Sequence, residues 1–408
     1  MKRRSLWVTL SLVNLCIVAF LGMTLRTKLI FPLTFIDYKN LLSAHSHFAF
    51  GGWVTLSFMI LFVDRLLTEE QGQRRIYQRL LWGIQVTSFG MLFTFPFQGY
   101  APFSIIFSTL FIFFTYGFSW VFIKDIRKTE TPAPVVLLSI AALACLVISS
   151  VGPFTLAYIL GTHSGTAILY RDAIYTYLHF QYNGFFTLSV FALFFHAVYN
   201  RLDDRDKKRI ILFARLLCAS ILPALFLSLL WHAFNVYIRS FAVIGCVLTF
   251  LAVVSFLRFA WNRKFYECYD APISRSLLRL SMASFVIKMF LQMGTIVPSL
   301  GNAVFGLRPI IIGFLHLVFL GLVSFFILAS FANDRIFDPA KKLSATALVY
   351  FAAAIILNEG ILLVDGIGRL MYFTHQVYYW LLWIASIMLF SGSVLVLKAR
   401  LSAIANGQ

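Results

Sequence analysis

Long apolar segments alternate with short polar loops along the whole chain. A helix needs about 20 apolar residues to cross a bilayer, and the sequence contains twelve segments that approach or exceed this length. We number the predicted spans 1 to 12; they cover residues 6–25, 42–63, 79–96, 102–123, 134–160, 174–199, 211–232, 238–260, 277–298, 309–331, 344–366 and 377–397. The pattern predicts an all-α polytopic protein with a single integral membrane domain, residues 1–408.

Composition and charge agree with a membrane protein. Of the 408 residues, 60% are hydrophobic and 12% are charged, and the net charge is +18. The basic residues are concentrated in alternate loops and at both ends of the chain, for example at residues 201–209. Because basic loops stay in the cytoplasm, we expect a multi-pass protein of the bacterial inner membrane with both termini inside. The partner is then the lipid bilayer, and nucleic acid is excluded.

Other patterns add two expectations. Pro153 and Pro223 lie inside predicted spans, where the missing N–H group should interrupt the helix. The five cysteines have no paired spacing, so neither a disulfide framework nor a thiolate metal site is indicated. No internal repeat is evident from inspection of the spans.

Four histidines lie near the same ends of spans that run in the same direction. His45 and His47 are in span 2, His179 is in span 6 and His316 is in span 10. Ionisable residues inside a membrane indicate a functional site, and imidazole is a common ligand of haem iron and of metals. The alternative is that these histidines only satisfy polar contacts between packed helices.

Spans 6 and 7 add polar groups at the same end. Tyr182 and Asn183 share a helix face with His179, since they follow it by three and four residues. They are predicted to line a pocket. His232 follows Trp231 at the end of span 7, where it is either a ligand or an interfacial anchor.

Spans 9 and 11 carry further charged and polar residues within the membrane. Lys288 and Gln292 lie one turn apart in span 9, and Glu359 lies in span 11. Intramembrane charges occur both as structural ion pairs and in proton paths, and the sequence leaves these two roles open. The alternative function is therefore a proton-coupled twelve-span secondary transporter that uses Lys288 and Glu359.

The positions of the histidines resemble the core subunit of the haem-copper oxidase superfamily, over the whole chain in topology. In that family, histidines of spans 2 and 10 hold haem. The resemblance implies that His45 or His47, together with His316, binds a haem, predicted to be b-type. It also implies that Arg369, and with it Arg308, neutralises the haem propionates.

The same resemblance implies copper as a further candidate, at His179 and His232. However, spans 7 and 10 each have one histidine where the oxidases have two, so a complete haem-copper centre is not expected. The His-x-His-x-x-x-Gly segment of span 2 also resembles the NnrS family of haem- and copper-containing membrane proteins. These resemblances predict electron transfer, or the handling of nitric oxide or oxygen, with a cytochrome or another redox subunit as partner. They leave open whether the protein is an enzyme; if it is, we expect a haem-dependent oxidoreductase.

Overall fold

Twelve long apolar helices form nearly all of the regular structure. The computed structural model describes residues 2–162, 164–232, 235–261, 263–337 and 341–405, and it is 87% helical with no β-strand in those ranges. The prediction of an all-α polytopic protein with twelve spans is confirmed. The helices of spans 1 to 12 are Arg4–Ile30, Tyr38–Leu66, Arg75–Gln98, Pro102–Ile126, Ala133–Thr162, Ala167–Arg201, Asp204–Leu229, Val236–Ala260, Pro272–Gly294, Arg308–Asn333, Lys342–Leu370 and Val377–Ala405.

The helices are longer than the apolar segments that predicted them, because several begin at polar capping residues. Span 6 begins after Thr166, whose hydroxyl accepts a hydrogen bond from the backbone N–H of Leu169 (3.1 Å). Span 7 begins after Asp203, whose carboxylate accepts from the N–H of Asp206 (2.8 Å). A cap satisfies an N–H group that has no partner within the helix, so the helix continues into the polar loop.

Pro153 and Pro223 each lie at an interruption of the α-helix, as predicted. Span 5 consists of two α-helices, Ala133–Ser149 and Val151–Thr162, and the break precedes Pro153. In span 7 the α-helix ends just after Pro223, at Ala224, and a 3₁₀ segment follows at Leu225–Leu229. In each case the proline ring nitrogen cannot donate the hydrogen bond that would continue the helix.

Spans 2, 6 and 10 each contain a π-helical segment, which is a rare structure that often marks functional sites. The segments are Ala49–Thr55, Phe180–Phe186 and Leu317–Ser324. Each begins one or two residues after a histidine at the end of the preceding α-helix. The backbone therefore changes type at the same place in the three histidine-bearing spans.

Contacts divide the chain into two compact units. The first unit comprises Met1–Phe118, Tyr269–Met282 and Ile312–Gln408. The second comprises Ser119–Cys268 and Ala283–Ile311. We describe each unit by itself, and the single membrane domain stays a prediction.

In the first unit, span 1 packs against spans 2 and 12, span 2 packs against span 3, and span 11 packs against span 12. An ionic network joins the ends of spans 1, 2 and 10. Arg4 lies 3.1 Å from Asp64 and also pairs with Asp334, which in turn accepts from Arg65 (2.7 Å). These four residues are partly buried and connect the three helix ends; in spans 2 and 10 these ends lie opposite the histidines.

In the second unit, span 7 packs along span 8, and span 5 packs against the π segment of span 6. Its core is aromatic and is formed by side chains from spans 6 to 9. The ring of Phe191 lies 4.6 Å from those of Phe213 and Phe285, centroid to centroid, and 5.4 Å from that of Phe256.

Many large apolar side chains face outward, including Phe97 (86% exposed) and Leu222 (65% exposed). Soluble monomers rarely present extensive apolar surface. The outward-facing side chains and the twelve spanning helices together support a lipid bilayer as the surrounding medium.

Candidate functional site

His45 is fixed by span 1. Its Nδ1 donates to the carbonyl oxygen of Val18 at 3.1 Å. The ring also lies against Gly22, where an added Cβ would be 3.2 Å from His45 Cε1. A side chain at residue 22 would therefore crowd the imidazole, so glycine provides the space in which the ring sits.

His316 lies in the same unit as His45, and its ring is likewise bound to a backbone carbonyl. Its Nδ1 donates to the carbonyl of Ile312 at 2.8 Å, one turn earlier in its own helix. His45 lies within electrostatic range of His316, and both rings lie within electrostatic range of Arg26. Neither Nε2 atom has a hydrogen-bond partner among the described residues.

His47 is held in a different environment. Its Nδ1 donates to the carbonyl of Ser43 at 2.9 Å. Its ring stacks on Phe95 with a centroid distance of 4.4 Å, and the ring of Tyr100 meets it edge-on at 5.8 Å. The two histidines of span 2 therefore face different neighbours, as their spacing of two residues predicts.

A group of charged side chains accompanies His45 and His316. Arg26 interacts electrostatically with Glu359 and Asp365 of span 11. Asp365 also accepts from Nε of Arg369, at 3.1 Å for each carboxylate oxygen. Glu359 accepts from Nδ2 of its neighbour Asn358 at 3.0 Å. Arg26 thus connects the pair of histidines to two carboxylates, and one of these, Asp365, also binds Arg369.

In the second unit, three buried polar side chains form a chain of hydrogen bonds. Lys288 Nζ donates to Asn183 Oδ1, and Asn183 Nδ2 donates to His179 Nδ1 at 3.0 Å. His179 Nε2 then donates to the carbonyl of Ile221 at 2.8 Å. Both ring nitrogens of His179 are therefore engaged by the protein, and Asn183 is oriented by its two partners.

The other predicted residues of spans 6 and 9 surround this chain. The ammonium of Lys288 lies 5.6 Å from the centre of the Tyr182 ring, a distance suited to a cation–π interaction. Tyr182 also hydrogen-bonds to Ser228. Gln292, one turn beyond Lys288, is 7% exposed, and its Oε1 has no hydrogen-bond partner within the described residues.

His232 contacts the beginning of span 6. Its Nε2 lies 2.9 and 3.0 Å from the two carboxylate oxygens of Asp172. The adjacent pair also interacts, since the guanidinium of Arg171 lies 4.5 Å from the centre of the Trp231 ring. Two neighbouring residues of span 6 thus bind two neighbouring residues at the end of span 7.

The predicted residues therefore separate into two groups. The first unit holds His45, His47, His316, Glu359 and Arg369, whereas the second holds His179, Tyr182, Asn183, His232, Lys288, Gln292 and Arg308. Arg308 is the first residue of the helix that ends at His316. Among the residues that the structure describes, no group of three or more histidines, cysteines or acidic residues is placed to hold a metal ion.

The predicted ion pair falls into different units. Lys288 is in the second unit and hydrogen-bonds to Asn183, whereas Glu359 is in the first and hydrogen-bonds to Asn358. Each side chain thus has an asparagine partner within its own unit. The role of either residue in a proton path stays a prediction.

The three π segments also share a short sequence pattern, which we call the repeated segment. Aligned at their histidines, residues 47–55, 179–187 and 316–324 read HFAFGGWVT, HFQYNGFFT and HLVFLGLVS. They share His, an aromatic residue three positions later, Gly five positions later and Thr or Ser eight positions later. In two copies the last hydroxyl donates to the carbonyl of the aromatic residue, Thr187 to Tyr182 (2.6 Å) and Ser324 to Phe319 (2.8 Å).

Sequence reasoning also missed Arg26 and Asp365 as members of the first-unit group. A signal was present in both cases, because an ionisable residue within a spanning helix is unusual and needs a partner. Arg26 lies inside the helix of span 1, and Asp365 lies inside that of span 11 and is 4% exposed.

Comparison with known proteins gives no relative. No protein-family model matches the sequence, and no curated protein is detectably similar to it. The functional argument therefore rests on the two side-chain groups.

Proposed function

We propose that the first unit binds a haem between His45 and His316, and that the protein serves in electron transfer or in handling nitric oxide or oxygen. One observation carries the proposal. These histidines come from different spans, lie within electrostatic range of each other, and each bind a backbone carbonyl through Nδ1 while having no hydrogen bond at Nε2 within the described residues.

The protonation of the two rings would suit ligands of haem iron. A backbone carbonyl only accepts hydrogen bonds, so the bonds to Val18 and Ile312 require a proton on Nδ1 of His45 and His316. A neutral ring then has its lone pair on Nε2. Histidine ligands of metals commonly have this arrangement, with the second nitrogen held by a carbonyl or a carboxylate.

The surrounding side chains also suit a haem. Arg26 lies within electrostatic range of both histidines, and Asp365, which interacts with Arg26, binds Arg369, so two cations belong to this group. They are the residues that would hold the propionates. When bound at such a site, haem supplies a one-electron iron couple or a site for a diatomic gas. The resemblance to the haem-copper oxidase core subunit supports the same assignment.

His45, rather than His47, is the ligand of span 2 in this proposal. The ring of His47 is stacked on Phe95 and met edge-on by Tyr100. The proposed copper role of His179 and His232 stays a prediction, since their ring nitrogens have protein partners in this arrangement. A bacterial inner-membrane location and a cytochrome as redox partner are part of the proposal.

Absorption spectroscopy of the purified full chain tests the proposal. We expect a Soret band, with α and β bands that sharpen after reduction by dithionite. The His316→Ala variant should lose these bands while keeping its helical circular dichroism. Purification from cells supplied with a haem precursor excludes simple haem shortage. A featureless spectrum from well-folded protein under those conditions contradicts the proposal.

The alternative function, a proton-coupled secondary transporter, is favoured by the burial of Lys288. This ammonium is 0% exposed, and its hydrogen bonds within the described residues are to Asn183 and Met289 rather than to a carboxylate. Uptake of a labelled solute by haem-free protein in vesicles, driven by a pH gradient and lost in both Lys288→Met and Glu359→Gln, would support the transporter. Uptake insensitive to both changes would count against it.

A further inference from the structure

A groove lies between the beginning of span 7 and the end of span 8, within the second unit. Its volume is about 680 Å³, and three arginines, two aspartates and three apolar side chains line it. One side of the groove lies in the basic segment at residues 201–209, and the other lies at the end of span 8. The groove therefore opens on the side of the membrane that the distribution of basic residues assigns to the cytoplasm.

Two of the arginines are available to an anion. Arg209 is already paired with Asp206, with 2.9 Å between Nη1 and Oδ1. The other acidic side chain, Asp203, accepts the N–H of Asp206 as the cap of span 7. Arg205 and Arg258 are exposed and have no ion pair within the described part of the chain. They come from different helices and both line the groove.

The remaining wall of the groove is apolar and continues onto the outward face of span 8. Leu257 is 42% exposed and Trp261, just beyond the end of the helix, is 89% exposed. Tryptophan is enriched where the acyl chains of a bilayer meet the headgroups. A ligand in this groove therefore contacts guanidinium groups at one end and lipid-facing side chains at the other.

We propose that this groove binds the phosphate headgroup of an anionic phospholipid. Guanidinium groups bind phosphate through charge-assisted and often bidentate hydrogen bonds, and basic pockets between spanning helices are known sites for anionic lipid headgroups. A free phosphate ion offers the same headgroup chemistry. The adjoining exposed Leu257 and Trp261 favour the lipid, because they can contact its acyl chains.

Native mass spectrometry of the full-length protein tests the site. Protein in mild detergent is mixed with phosphatidylglycerol or with phosphatidylcholine, and the fraction carrying one lipid is measured for each. We expect the wild-type protein to retain more phosphatidylglycerol than phosphatidylcholine. The double variant Arg205→Gln/Arg258→Gln should lose most of this preference, since each basic residue near an anionic lipid contributes about fivefold.

A matched control removes two charges from another basic loop of the same unit, in the double variant Arg127→Gln/Lys128→Gln; both residues are exposed. It should keep the preference, and unchanged helical circular dichroism shows that each variant is folded. Equal retention of both lipids by wild type, or an equal loss in the control, overturns the site. Displacement of the lipid by millimolar inorganic phosphate would instead assign the groove to a free anion and overturn the lipid.

Discussion

In the first unit, His45 and His316 each use Nδ1 to contact a backbone carbonyl and have no hydrogen bond at Nε2 within the described residues. In the second unit, His179 uses both ring nitrogens, one toward Ile221 and the other toward Asn183. His316 and His179 occupy the same position in the repeated segment. One repeat position thus supports two different environments.

Burial and charge extend this contrast. His179 is 0% exposed, whereas His45 and His316 are half-buried and keep accessible surface. The cation beside His179 is Lys288, bound through Asn183, so the protein itself supplies a positive charge there. In our proposal the first unit accepts a ligand at the Nε2 atoms of His45 and His316, whereas in the second unit the protein's own groups occupy both ring nitrogens of His179. Because both units contain histidine, the difference between their sites comes from the residues that surround each ring.

The largest effect should separate the two histidines of span 2. We expect His45→Ala to lower the haem content of the purified protein at least about tenfold, since it removes a ligand and not merely a supporting contact. His47→Ala should retain most of the haem, because His47 contacts Phe95 and Tyr100. The pyridine haemochrome assay gives haem per protein. If His47→Ala loses the haem and His45→Ala retains it, then His47 and not His45 is the haem ligand of span 2.

A second effect should follow from crowding the ligand without removing it. A Cβ at residue 22 would lie 3.2 Å from the His45 ring, and the branched side chain of Gly22→Val would force the ring to move. We expect a severalfold loss of haem and a broadened or shifted α band. Gly360→Ala is the control, since a Cβ there meets nothing within 4 Å. Normal haem spectra in Gly22→Val would show that the packing of His45 against span 1 is unimportant.

Hydropathy was sufficient to predict twelve spans, because length and apolar content decide whether a helix can cross a bilayer. It could not locate the π segments, since a change of hydrogen-bond register leaves the apolar pattern intact. Nor could it choose between His45 and His47. That choice depends on Gly22 and Val18, which are distant in sequence and reach His45 only through the packing of span 1.

In the second unit, removal of Asn183 should destabilise the fold without affecting the haem. Asn183→Leu leaves the buried Lys288 ammonium and His179 Nδ1 without their partner. The expected cost is about 2–3 kcal/mol, since a buried charged donor loses a hydrogen bond. It is measured as a lower midpoint of thermal unfolding by circular dichroism.

The double variant Asn183→Leu/Lys288→Met should recover part of the loss, because it removes the unpaired charge as well. The haem spectrum serves as the control and should match that of the wild type in both variants. Loss of the haem bands in folded Asn183→Leu protein would mean that the two groups are not separate in function. Additive destabilisation in the double variant would show that Lys288 does not depend on Asn183.

The smallest effect concerns the glycine shared by the three repeated segments. A Cβ at Gly184 would lie 2.4 Å from Cys145 Cβ, so Gly184→Ala should cost about 1–3 kcal/mol through overpacking. Gly161→Ala, with nothing within 4 Å of its Cβ, should instead be neutral or stabilising by up to about 1 kcal/mol, because alanine favours a helix. Thermal unfolding measures both. If Cys145→Gly rescues the stability of Gly184→Ala, the close approach of spans 5 and 6 is what requires glycine at residue 184. Equal melting temperatures of Gly184→Ala and Gly161→Ala would instead show that Gly184 has no packing role.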